Sequence, residues 1–341
     1  MVKKIAGRIQ ETETKRLKLA EFVKQISPET NLKVAVTPDQ LKNLKVAAVD
    51  GGILKKSLHG MDCMLVRAAG ACFHYSDGKV VAVNYHPSQN PTPRPEVYES
   101  LSELDWLHFS SLARLKEEIT TAIQCIETLQ PNVLLLDGLI LPHCLDRPPK
   151  TSPLYPTYKE LLNSYTTLFK NSIEQNVALA GVVEDSRSCT FCNFLMESVL
   201  SRLKHEMVPE LKSLLKKSRD SNLLYLILEK GERTCLFPIA PPLTMDADIP
   251  LMKTFYLKTA KYDRPLKVDF LPQTIQADAL ASILLSISGH HSGYGLPTPL
   301  IEADNVASLP EDEMENFYSR VLALTGRLSS TMNLRREQRP F

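Results

Sequence analysis

Glycine is sparse in this sequence, with 13 residues in 341. A sugar-kinase or actin-type nucleotide binder wants glycine-rich phosphate loops in both halves, where the backbone must approach the anion closely; so few glycines argue against that class. Long apolar runs are missing too. No stretch approaches the ~20 consecutive apolar residues of a membrane-spanning helix. The opening "MVKKIAGRIQETETKRLKLA" is basic but lacks the continuous apolar core of a secretory leader, so a cytoplasmic location and no membrane partner are expected. Charge of one sign is not in excess: 40 Lys and Arg against 39 Asp and Glu leave +1. Attraction to nucleic acid must then come from local patches. Two stretches qualify, "RLKHEMVPELKSLLKKSR" at 202–219 and the terminal "NLRREQRPF", each equally readable as a solvated helix face and a tail. The seven cysteines are odd in number and scattered, against a disulfide framework. Cys189 and Cys192 form one C-x-x-C, but a structural zinc site needs a second pair at suitable spacing, and there is none.

What is present is apolar substance, 43% of residues, enough for one large domain over 1–341 or a core with insertions. A helical pattern covers 5–26, and the strand "KVAAVDGG" follows a turn-rich region. "MDCMLVRAAGACFHY" and "KVVAVNY" flank Ser76-Asp77-Gly78, the turn chemistry of an antiparallel meander. After the proline-broken loop "HPSQNPTPRPE" come a helix over 109–129, stopped by Pro131, and the strand "NVLLLDGL". A proline-rich loop then leads to a helix over 158–175 and the strand "NVALAGVV". This β-β-β-α-β-α-β order, with right-handed crossovers, predicts a ribonuclease H-like mixed sheet, antiparallel meander plus parallel strands, flanked by helices, with its core at 45–190. Residues 191–275 read as an inserted helical and β-hairpin region, with a hairpin in "LLYLILEKGERTCLF" and a strand in "TFYLKTA". Residues 276–330 complete the site.

Two apolar strands run into Asp-Gly, at Asp50 and Asp137. One such ending is usually a turn. In this topology, however, the first and fourth strands are adjacent, which brings the two carboxylates together. They would repel and be costly to desolvate unless a cation neutralised them. Hard oxygen ligands favour Mg²⁺ or Mn²⁺, and two such ions about 3.5–4 Å apart suit phosphodiester cleavage. The preceding helix offers Glu117 and Glu118. Leu112, Leu115, Ile119, Ala122, Ile123 and Ile126 mark its buried stripe; at ~100° per residue Glu118 lies on the flank of that stripe and Glu117 nearly opposite. Glu118 is therefore the third candidate, although a lone Glu is more often a surface charge.

"VAAVDGG", "RLKEEITTAI", "VLLLDGLI", "LAGVVEDS" and "GYGLPTPLIEAD" occur in the order and approximate spacing of the NurA nucleases, which this chain resembles from about residue 45 to 307. No one of these motifs is specific; five in order are. The resemblance implies a homodimeric ring and a Mn²⁺- or Mg²⁺-dependent 5′-to-3′ exonuclease and single-strand endonuclease. It also implies action on single-stranded DNA and duplex ends with a hexameric HerA-type ATPase in end resection. On it, Asp50, Glu118 and Asp137 match the family's metal acids. Asp304 stands where the family often has histidine, and reads either as a substitute ligand or as a helix N-cap before "NVASLPEDE". Gly52 stands where serine is usual. Glu184, with Asp185, stands where lysine is usual: either Arg187 replaces that lysine in phosphate contact, or the acid pair instead adds a ligand. His290, His291 and Tyr294, a candidate base-stacking residue, fall in a loop the resemblance places near the site. A second class of function follows from the departures: a non-catalytic ribonuclease H-like subunit that keeps its DNA-binding or ATPase-docking surface.

Overall fold

The computed structural model describes residues 1–57, 61–99, 101–202, 206, 208–239 and 249–325. The basic tail at 333–341 and part of the 202–219 patch lie outside them. Strands run over Lys33–Ala35 (β1), Leu44–Ser57 (β2), Met61–Ser76 (β3), Lys79–His86 (β4), Arg94–Glu99 (β5), Val133–Asp137 (β6), Ala178–Val183 (β7), Glu232–Thr234 (β8), Phe237–Pro238 (β9), Lys253–Leu257 (β10) and Leu266–Phe270 (β11). Helices run over Val2–Thr30 (α1), Glu103–Leu129 (α2), Tyr155–Glu174 (α3), Thr190–Phe194 (α4), Val208–Leu215 (α5), Asp220–Ile227 (α6), Ala277–Ser286 (α7), Thr298–Ala307 (α8) and Glu311–Thr325 (α9). The chain divides into two compact units. One comprises Met1–Lys42, Ala180–Ala240 and Leu251–Thr298; the other comprises Asn43–Leu179, Pro241–Pro250 and Pro299–Phe341. Among the described residues no helix is long and apolar enough to cross a membrane.

The second unit is built on the expected meander. β2 and β3 pair antiparallel from Leu44↔Tyr75 to Ser57↔Asp62. β3 then turns into β4 through Asp77 (φ 48) and Gly78 (φ 76), two consecutive positive φ angles that match the twist of a two-residue hairpin. β6 runs parallel to β2 from Val46↔Val133 to Val49↔Leu136. The sheet is therefore mixed, in the order β4-β3-β2-β6, and helices flank it as a ribonuclease H-like fold requires. α2 lies across β2 and β3, with α3 beside it. Its buried face includes Leu112, Leu115, Ile119, Ala122, Cys125 and Ile126; Ile123 falls at the margin. Cys125 is central because it sits over Gly70, where any Cβ would collide with its sulfur.

Three local expectations are corrected in this unit. Asp50 is not at a strand end: β2 continues to Ser57 because β3 is long enough to stay paired with it, and only the pairing with β6 stops, at Val49. The loop after β4 contains β5, which pairs with the first six residues of β3. Pro95 masked it, yet proline is tolerated where its missing N–H faces away from a ladder. α2 begins at Glu103 and not near 109. The Ser102 hydroxyl accepts from the Asp105 N–H at 3.1 Å, and Glu103 and Asp105 supply first-turn acids, the cap and charges a helix start wants.

In the first unit β11 pairs antiparallel with β10 and with the end of β7, from Ala180↔Phe270 to Val183↔Lys267. β10 also pairs with β8, and β8 with β1. The hairpin expected at 223–237 is corrected to helix α6 followed by β8. A short apolar run cannot be assigned by periodicity alone. Here Leu223, Leu224 and Ile227 bury one helical face against Leu19, Val23, Phe191 and Tyr256. Asp220 secures the helix start: its carboxylate accepts the Phe191 and Cys192 N–H groups, each at 2.9 Å, and the Tyr256 hydroxyl at 2.8 Å.

Candidate functional site

β2 delivers Asp50 from the middle of a paired strand. Its side chain is buried, and its Oδ1 accepts the Gly51 N–H at 2.7 Å. Burial raises the Asp50 pKa above the ordinary carboxylate range. The neighbouring Asp304 adds to the rise, while the Gly51 N–H and Arg114 oppose it. Asp304 thus lies within α8 with its side chain at Asp50, and the N-cap reading is corrected. α8 is drawn to this spot by polar ties to the meander. The Tyr85 hydroxyl donates to Glu302 at 2.7 Å, and Arg67 donates to the carbonyls of Ala307 and Ser308 and to Glu313. Gly52 is part of the same fit, because a Cβ there would land on the Ala307 carbonyl oxygen. The serine usual at this position has no room while α8 is so close.

The second Asp-Gly is a true strand end: β6 stops at Asp137, and Gly138 has φ +102, a conformation costly for any side chain. α2 supplies Glu118, 3% exposed, and turns Glu117 the other way, where Arg94 donates to it at 2.9 Å. Glu118 Oε2 accepts from Arg114, one turn earlier, at 2.9 Å. Burial pushes the Glu118 pKa up to about 8; Arg114 opposes this, and Asp50, Asp137 and Asp146 add to it. Four predicted acids, Asp50, Glu118, Asp137 and Asp304, are therefore gathered in one unit and act on one another electrostatically.

Two neighbours were missed in the sequence. Asp146, in the turn Cys144–Asp146, accepts from the Ser111 hydroxyl at 2.6 Å and from the His143 N–H at 2.9 Å. Only a fold-back of the proline-rich loop onto α2 brings it in, and no periodicity announces that. Arg114 carried a signal, since it stands four residues before Glu118, the spacing of helical ion pairs.

Carboxylates are the hard oxygen donors that Mg²⁺ and Mn²⁺ take, and buried mutual repulsion is what such a cation relieves, so the donor set fits a divalent metal. Among the described residues no group of three or more His, Cys, Asp or Glu side chains is arranged so as to hold a metal ion, so the fit lies in the chemistry of the donors and not in a preformed coordination geometry.

The raised pKa of Glu118 fixes a sign. Between its ordinary 4.5 and about 8 the folded protein holds a proton that the unfolded chain has lost, so metal-free stability falls as pH rises across this window, by at most ~1.4 kcal/mol per pH unit for one group. Thermal unfolding in chelator at pH 5, 6, 7 and 8 measures it. Glu118→Gln should flatten the slope; an unchanged slope would show that Glu118 is not the group responsible.

The remaining candidates belong to the first unit. Glu184 and Asp185 form a bend after β7, with Asp185 accepting from Arg264 at 2.9 Å, and Arg187 is exposed. His291 Nδ1 accepts the Gly293 N–H at 3.1 Å, His290 meets the Thr298 hydroxyl, and Tyr294 is 40% exposed. Cys192 is buried and Cys189 half-buried, with Arg219 donating to the Cys189 sulfur at 2.8 Å.

A family model described as the NurA domain matches residues 44–309. Among solved structures, the NurA nuclease from Sulfolobus solfataricus superposes with a TM-score of 0.59 at 15% identity, covering 96% of this chain and 99% of that one. A NurA structure with manganese gives a TM-score of 0.50 at 11% identity, over 95% of this chain and 99% of that one. A NurA structure bound to dAMP and manganese gives 0.50 at 10% identity, over 90% and 94%. At these identities the likeness concerns the fold. No curated protein matches the chain.

Proposed function

Because the chain belongs to the NurA domain family, we propose that it is a divalent-metal-dependent deoxyribonuclease, a 5′-to-3′ exonuclease and single-strand endonuclease working in DNA end resection. The observation that carries this reading is the gathering of Asp50, Glu118, Asp137 and Asp304 in one unit, with burial and mutual repulsion raising Asp50 and Glu118. Those four side chains would hold Mn²⁺ or Mg²⁺, as two ions, whose chemistry when bound is to activate a water and stabilise the leaving oxygen of a phosphodiester. The chain's own contribution is position. β2 fixes Asp50 within its continuous ladder with β3, β6 ends so that Asp137 projects at its tip, and α2 turns Glu118 inward on a packed helix. Arg114 keeps the cluster from carrying its full negative charge in the absence of a cation. The manganese and dAMP complexes of NurA structures with this fold support the same chemistry here.

By the same resemblance, the proposal includes a homodimer and a HerA-type hexameric ATPase that feeds DNA to the enzyme. A net charge of +1 is consistent with DNA held by enclosure more than by a strongly basic surface. The test is cleavage of labelled single-stranded and blunt duplex DNA across a Mn²⁺ titration. Binding of DNA with no cleavage at any Mn²⁺ or Mg²⁺ concentration would replace this reading with a non-catalytic subunit.

Asp304 gives a narrower test. As a ligand it makes Asp304→Asn about tenfold slower and raises the Mn²⁺ needed for half-maximal rate, while Asp304→His recovers part of the loss, since imidazole also binds Mn²⁺. Rate against Mn²⁺ for the two variants measures this. Unchanged half-saturation in Asp304→Asn removes the residue from the site.

A further inference from the structure

Arg114 has no role in the reading above beyond partial neutralisation, yet its placement is specific. Its guanidinium donates to Glu118 Oε2 at 2.9 Å; the Glu118 side chain is 4% exposed, that of Arg114 32%. Both side chains pass close to Gly51. A Cβ built there would meet Arg114 Cγ and Glu118 Oε2 at 3.3 Å each, so the glycine beside Asp50 leaves room for the two side chains at their present close approach. The charge of Arg114 also reaches Asp50. The Arg114 guanidinium is thus bonded to Glu118 while about a third of the side chain, 32%, stays exposed.

We propose that Arg114 is a built-in competitor of the metal: a positioning residue that occupies Glu118 in the metal-free protein and must release it for a divalent cation to bind. The inference rests on the metal site of the proposed nuclease. A guanidinium stays charged at every working pH, and a carboxylate oxygen bonded to it cannot also accept a dication without placing two positive centres side by side. Without metal the pair offsets the cost of a buried acid cluster, since an unpaired buried carboxylate is the more expensive state. With metal the same pair must be broken, so metal affinity is set below what the acids alone would give. An arginine that merely oriented Glu118 as a ligand predicts the reverse, namely that its removal weakens metal binding.

Calorimetric titration of the chelator-treated full chain with MnCl₂ separates the two. Arg114→Gln keeps a hydrogen bond to Glu118 without the charge, and Arg114→Met keeps only the apolar stem; both should bind Mn²⁺ about tenfold more tightly than wild type, the worth of one charge-assisted hydrogen bond. Arg114→Lys keeps the charge and should stay within about twofold. The rise in melting temperature on adding Mn²⁺ should be larger in Gln and Met than in wild type. Because Gln is the milder change, it keeps the test open where Met does not fold. Unchanged or weaker Mn²⁺ binding in Arg114→Gln, beside a wild type that binds Mn²⁺ and cleaves DNA, overturns this inference and leaves the nuclease reading standing. A wild type that binds no Mn²⁺ overturns both. The predicted shift in a protein that does not cleave DNA upholds the competition and overturns the nuclease.

Discussion

Glu118→Gln is expected to reduce DNA cleavage on the order of a thousandfold, the several kcal/mol that a correctly held divalent ion supplies to a transition state, whereas Glu117→Gln should remain within about twofold of wild type. The two residues are neighbours on α2, so general weakening of the helix would affect them alike. Their surroundings differ: Glu118 is buried against Arg114, and Glu117 lies on the other side of the helix with Arg94. Asp50→Asn and Asp137→Asn should match the Glu118→Gln loss, since each removes a ligand charge at nearly constant volume. All three should remain folded, and without metal Glu118→Gln should melt higher at pH 8 because it abolishes a repelled buried charge. Single-turnover cleavage of labelled single-stranded DNA measures the effect. Activity within tenfold of wild type in Asp50→Asn or Asp137→Asn, or equal losses at 117 and 118, would dismiss the metal assignment.

A second large effect is expected at Gly52, in stability as well as activity. Gly52→Ser should lower unfolding free energy by roughly 1–3 kcal/mol, the range of overpacking, because the new Cβ meets the Ala307 carbonyl of the backbone. Relief requires α8 to move, and α8 carries Asp304, so Mn²⁺ half-saturation should rise together with the loss of stability. Gly51→Ala is the control. Its Cβ would meet the side-chain atoms Arg114 Cγ and Glu118 Oε2 at 3.3 Å, which can shift by the few tenths of an ångström needed. Denaturant unfolding of the two variants decides: a Gly51→Ala loss equal to or larger than that of Gly52→Ser would contradict the close seat of α8.

The departure at Gly52, which stands where the resemblance leads one to expect serine, is thus the complement of a helix far along the chain. Much else was legible. The β-β-β-α-β order and the face of α2 follow from short-range patterns, apolar alternation, turn residues and 3.6-residue spacing, and these place Asp50, Glu118 and Asp137 without reference to distant contacts. What was not legible depends on partners remote in sequence. β2 continues past Asp50 only because β3 is long, β5 exists because β3 has a free edge for it, and Asp146 joins the acids because a loop folds back onto α2. Asp304 had no signal of its own; the resemblance alone selected it, and its near neighbour Glu302 is equally acidic. Arg114 was readable from its spacing but not from its meaning, which depends on the burial of Glu118.

That Asp50 lies inside a ladder has a mechanical consequence. A ligand at a strand tip frays with the strand, on the fast, low-energy openings of chain ends. Asp50 has β3 pairing on both sides of it, seven residues onward to Ser57 and six back to Leu44, so it can be displaced only by openings that unzip the meander itself. Asp137 at the tip of β6 and Asp304 on a ten-residue helix have no such restraint. The four acids are therefore unequal in stiffness: Asp50 is bolted to the sheet, whereas Asp137 and Asp304 sit on elements that open more readily.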